Sequence, residues 1–266
     1  MQNKIAVIGM SFQYPYLHTP EEFAAHLSKG TFLSNDGWKE RGALLHLPDY
    51  QKIIGKVPLI TGIEYFDHKF FGITQKEAME MTPEMKLALT HAALAVYDAG
   101  YSLQELRGRD CGMVLASSST AADYRNLTSK GNTVAYLNTR ESMIGGKLSY
   151  YFDLNGPIFS VDSTCSSSLL AVTQAADVLN SGQADWMLAG GVQLFLPQDE
   201  KRAHELLLGI ECAKSDYIPF DEAADGLILG EGAGFVLLKR YEDAVRDHDS
   251  IYGVISGYGL SGTRYA

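Results

Sequence analysis

Residues 158–182, IFSVDSTCSSSLLAVTQAADVLNSG, limit the chain more than any other stretch. Ile158 to Asp162 is short, apolar and β-branched, the pattern of a buried strand. Ser163-Thr164 interrupts it. From Ser166 onward Leu169, Leu170, Thr173, Ala176 and Leu179-Asn180 keep a helical period, which ends at Ser181-Gly182. A strand, a sharp turn and a helix follow one another, with Cys165 at the turn. Strands and helices alternate elsewhere too, which predicts an α/β fold with a largely parallel sheet.

Two readings of Cys165 fit this local pattern. In the first it is a nucleophile. The free N–H groups and positive end of a helix favour a negative sulfur, and a tight strand-to-helix turn pushes the side chain clear of the sheet. Backbone N–H groups beside it are then placed to hold an oxyanion. In the second it is a buried, inert cysteine, the common state of the residue type. The chain has three cysteines, Cys111, Cys165 and Cys212, without paired spacing. That argues against a disulfide framework and a four-ligand zinc site, and fits a reducing, cytoplasmic compartment.

Other segments fill in the order of elements. Lys4–Gly9 reads as a strand, and Thr19-Pro20-Glu21-Glu22 as a capped helix start closing at Gly30. Residues 31–66 show no steady period and read as a long irregular excursion. Thr74-Gln75-Lys76-Glu77 is a second capping box. Thr82-Pro83 opens the clearest helix, with Met85, Leu89, Ala92, Ala93 and Val96 on one face and Gly100 at its end. Residues 111–117, 185–193 and 235–238 are further strands. Gly190-Gly191 inside one of them implies close backbone approach or a bulge rather than a binding loop. Gly230-Glu231-Gly232-Ala233-Gly234 precedes a strand and not a helix N-terminus, so a phosphate cradle lacks its physical basis there. With 46% hydrophobic and 20% charged residues the chain is globular, and its formal charge of −10 argues against a general nucleic-acid binder. No apolar run reaches membrane-spanning length. Without a low-complexity linker or an internal repeat, residues 1–266 count as one domain.

The segment VDSTCSSSLLAV resembles the active-site segment of the β-ketoacyl synthases, the condensing enzymes of fatty-acid and polyketide assembly. Further likenesses are FDHKFFGI at 66–73, LSYYFDLNGP at 148–157 and IPFDEAADG followed by GEGAGFVLLKR at 218–240. The stretch LLLGIECAKSDY at 206–217 departs from the family's phenylalanine-, glycine- and proline-rich wording. The resemblance implies a thiolase-like fold whose N-terminal half, a mixed and mostly parallel sheet flanked by helices, is this chain. It implies that Cys165 accepts an acyl chain as a thioester, and that the substrate rides on the phosphopantetheine arm of an acyl carrier protein, with no metal or other cofactor. Residues 118–138 would approach a twofold axis, with Met143 and Ile144 as candidates to line an acyl tunnel; ordinary core packing is the other reading of that pair.

The family's second half carries two catalytic histidines, one in a His-Gly-Thr-Gly-Thr stretch and one in a Gly-His. None of the seven histidines here stands in either context. The resemblance therefore implies an N-terminal portion that needs a second half or a partner, as a homodimer or as a heterodimer with a ketosynthase or a separate C-terminal half. A different reading is a non-catalytic half-synthase, like a chain-length factor, that shapes the pocket of a complete ketosynthase.

Overall fold

The computed structural model describes residues 4–30, 37–47, 49–50, 57–117, 141–197, 199–207, 210, 212 and 219–262. Six strands make one sheet: β1 (Ile5–Gln13), β2 (Cys111–Ser117), β3 (Ile158–Val161), β4 (Trp186–Gln193), β5 (Gly232–Arg240) and β6 (Gly253–Ile255). Their order across the sheet is β3-β2-β4-β5-β1-β6. β2 pairs in parallel with β3 and β4, while β5 runs antiparallel to both β4 and β1, and β6 antiparallel to β1. The sheet is thus mixed, and β1 to β4 share one direction. By ladder, however, antiparallel pairs outnumber parallel ones. The reason is the connection from β4 to β5, which leaves and re-enters at the same end of the sheet and so returns an antiparallel neighbour.

The helices are α1 (Pro20–Lys29), α2 (Trp38–Leu45), α3 (Gln75–Glu80), α4 (Pro83–Asp98), α5 (Leu103–Leu106), α6 (Glu141–Phe152), α7 (Ser167–Asn180), α8 (Glu200–Leu207) and α9 (Tyr241–Arg246). One sheet face carries the larger core, with Met85, Leu89, Ala92 and Val96 of α4 and Leu148 and Phe152 of α6. The other face carries a smaller core built around Ala171, Ala175, Ala176 and Leu179 of α7. Thr19 and Thr82 cap α1 and α4 as the sequence predicts. Thr74 also accepts from the Glu77 N–H, but the Glu77 carboxylate does not close the box. It instead takes bonds from Lys147 Nζ (2.6 Å) and Tyr151 Oη (2.5 Å), which tie α3 to α6.

Two further sequence expectations change. β3 is an edge strand rather than a buried one: Phe159 is 40% exposed and Ser160 faces solvent. An apolar edge of this kind invites pairing with another chain. The excursion at 31–66 contains α2, which has no side-chain N-cap and little amphipathic pattern to announce it.

What holds α2 is a buried ion pair. Arg41 of α2 meets Glu231, just ahead of β5, with both guanidinium ends 2.7 Å from a carboxylate oxygen. The same carboxylate accepts from the N–H groups of Ile60 and Phe195, and Arg41 also donates to the Ile60 carbonyl. Burial opposes the charge on Arg41, but Glu231 more than offsets it and the guanidinium holds its proton more tightly than usual. Glu231 is therefore a clasp between the excursion and the loop after β4, and the GEGAG segment leads into a strand.

Removing one partner leaves the other charged, buried and unpaired. Arg41→Met or Glu231→Gln is expected to cost about 3–5 kcal/mol in urea unfolding. The double variant Arg41→Met/Glu231→Leu should cost less than the two single losses combined.

Candidate active site

Cys165 occupies a single 3-10 turn, Thr164–Ser166, between β3 and α7. The turn is assembled by short polar side chains. Asp162 Oδ1 accepts from the Thr164 N–H at 2.9 Å, and Ser167 Oγ accepts from the Ser163 N–H at 2.8 Å. Ser167 Oγ also donates to the Thr164 carbonyl at 2.7 Å, and Ser166 Oγ to the Ser163 carbonyl at 3.0 Å. Thr164 is left with φ of 55°, a left-handed conformation that is costly for a β-branched residue. The chain thus reverses within two residues and presents Cys165 outward.

The three cysteines now separate. Cys165 is exposed, while Cys111 and Cys212 are buried. Burial pushes the Cys111 thiol up to about 12, so it stays protonated on β2. The Cys212 thiol donates to Asp225 Oδ1 at 2.8 Å. Among the described residues no hydrogen bond engages the Cys165 N–H. An open sulfur beside a free N–H at the start of a 14-residue helix is the arrangement a thioester needs: a nucleophile and one donor for the oxygen it would charge.

Glycines seat the helix that follows. A Cβ on Gly191 would stand 3.0 Å from the Ala116 carbonyl oxygen and 3.3 Å from Ser168 Oγ in the first turn of α7. A Cβ on Gly190, facing the other way, would lie 2.3 Å from the Gly234 carbonyl oxygen. The pair marks close backbone approach, as the sequence implies. α7 rests mainly on β4 and β2, with Ala171 and Ala175 buried and Leu169 at 73% exposure on the outer side.

Met143 and Ile144 lie elsewhere. Ile144 is buried in the larger core, and Met143 packs half-buried against it. Gly145 of the same helix rests on Ile158, so that within one chain this pair sits across the sheet from Cys165. The region 118–138 lies outside the described residues. The hydroxyl scaffold at 162–167 has one sequence signal, the Asp-x-Thr spacing that favours a turn.

A family model described as "Beta-ketoacyl synthase, N-terminal domain" matches residues 2–244. The chain belongs to the β-ketoacyl synthase family. Methylphloroacetophenone synthase of Cladonia uncialis is 32% identical over 98% of this chain, which corresponds to 10% of that protein. Polyketide synthase PksL of Bacillus subtilis (strain 168) is 32% identical over 97% of the chain and 5% of its own length. Among solved structures, the ketosynthase from module 6 of the bacillaene synthase of Bacillus subtilis 168 superposes with a TM-score of 0.80 at 30% identity. That match covers 95% of this chain and 42% of the other. The chain spans a tenth or less of these synthases and under half of the ketosynthase. Its sheet and flanking helices are the N-terminal half of the thiolase-like ketosynthase fold. Among the described residues no helix is long and apolar enough to cross a membrane.

Brief treatment of the native protein with iodoacetamide, followed by peptide mass spectrometry, should carboxamidomethylate Cys165 and leave Cys111 and Cys212 unlabelled until denaturant is added.

Proposed function

We propose that this ketosynthase stretch supplies the acyl acceptor of a polyketide synthase, with Cys165 as the residue that takes the chain. The observation that carries the proposal is the exposed cysteine on a strained strand-to-helix turn, in a chain whose residues 2–244 match the family's N-terminal domain. The Cys165 thiolate attacks the carbonyl carbon of an acyl thioester borne on the phosphopantetheine arm of an acyl carrier protein. The carbonyl oxygen becomes an oxyanion next to the Cys165 N–H. The bond from carbon to the pantetheine sulfur then breaks, that sulfur leaves as a thiol with the proton Cys165 gave up, and the acyl group remains on Cys165.

The later steps of condensation require donors for an enolate and a second oxyanion contact. In this proposal they come from residues outside these 266. Met143, half-buried, would serve the pocket of a second copy, since its own Cys165 lies across the sheet, whereas Ile144 packs within the core. The β3 edge, half exposed and apolar, is the surface through which such a copy would pair. The relatives are polyketide synthases, which directs the reading toward that pathway class over fatty-acid assembly; they do not favour a non-catalytic partner.

Incubation of the full-length protein with an acyl N-acetylcysteamine thioester is expected to add one acyl mass to the peptide bearing Cys165. Cys165→Ala should lose the adduct, at least a hundredfold in initial rate. Acylation that persists undiminished in Cys165→Ala, or that maps to another residue, would contradict the assignment.

A further inference from the structure

We infer that Gln193, the last residue of β4, is a specificity-determining contact for the acyl group on Cys165, and that it reads an oxygen substituent close to the thioester. The inference rests on the acyl-acceptor reading of Cys165 given above.

The placement follows from register. α7 and β4 run in opposite directions, because α7 descends from the C-terminal end of β3, which is parallel to β2 and β4. The two elements touch where Gly191 faces Ser168 Oγ. From that contact, moving up β4 by two residues reaches Gln193 on the same sheet face, about 6.7 Å further along. Moving back along the helix from Ser168 by three residues reaches Cys165, about 5 Å in the same direction. The register therefore puts Gln193 and Cys165, both exposed, at one level on this side of the sheet. The β4–β5 ladder is regular to its end, with Gln193 opposite Gly232, so no bulge turns the side chain to the other face.

The chemistry of the site fits a polar reader. Gln193 is exposed, and no hydrogen bond among the described residues uses its carboxamide. The side chains below it on this face are Gly191, Ala189 and Met187, all without a charge. Asp162 Oδ1 and the Ser166 and Ser167 hydroxyls bond to the backbone they shape, and the Ser163 hydroxyl pairs with that of Ser166. Gln193 is thus an uncommitted neutral donor and acceptor at the level of the sulfur. A hydroxyl on the third carbon of an acyl chain can use both functions and an oxo group the donor alone, whereas a plain alkanoyl group uses neither.

The test measures acylation of Cys165 in the full-length protein with two donors, butanoyl- and 3-hydroxybutanoyl-N-acetylcysteamine. Wild type is expected to favour the hydroxylated donor. Gln193→Ala and Gln193→Leu should lower its rate about tenfold while leaving the butanoyl rate and iodoacetamide labelling of Cys165 within about twofold. An unchanged donor ratio in both variants overturns the inference and leaves the role of Cys165 intact. A wild-type protein that forms no adduct at Cys165 overturns the acyl-acceptor reading and the inference with it. If both variants lose labelling as well, Gln193→Glu decides: a ratio equal to wild type counts against the carboxamide, and a shifted ratio supports it.

Discussion

The contact between the first turn of α7 and the backbone of β4 sets the geometry of everything functional in this chain. A helix normally stands off a sheet by the thickness of its side chains. Here Gly191 offers none, and Ser168 comes close enough that even one methyl group would crowd it. The short approach lowers the helix start onto the sheet end. It also forces β3 to reach α7 through a turn so tight that Thr164 takes a left-handed conformation. Cys165 is exposed because the turn is tight, and the turn is tight because the helix is low.

The rest of the fold holds that arrangement still. α4 and α6 fill the opposite face with large side chains, so the sheet has a firm floor beneath β2 and β4. The Arg41–Glu231 pair fixes the loop leaving β4, just past Gln193, through the Phe195 N–H. At the far end of α7 the Arg240 guanidinium donates to the carbonyls of Leu179 and Ala184, and Tyr258 donates to Asp177. A cation among the C-terminal carbonyls complements the helix dipole there. The helix is therefore pinned at its closed end, while its open end carries the sulfur. Small apolar contacts, two ionic clasps and a set of serine hydroxyls divide the work.

Much of this could be read from residues alone. The strand-turn-helix around Cys165, the caps at Thr19 and Thr82 and the meaning of Gly190-Gly191 are local, and local patterns survive folding. Three features were not legible. Helix α2 lacks a strong period because its anchor, Arg41, finds its partner 190 residues away. The exposure of β3 depends on strand order, which no single segment encodes: an apolar run looks the same at an edge as in the middle of a sheet. The level of Gln193 relative to Cys165 depends on the register of a helix against a strand, and register exists only once both have packed. The same limit applies to Met143 and Ile144, whose side of the sheet is fixed by α6 resting on β3.

If helix seating governs the reactivity of the sulfur, a branched side chain at the seat should show it. The direct measurement is the rate of acyl transfer to Cys165 in Gly191→Val of the full-length protein, beside its thermal unfolding midpoint. Displacement of the α7 start predicts a rate at least tenfold lower in a protein that remains folded. A folded Gly191→Val protein that acylates at the wild-type rate would contradict the account.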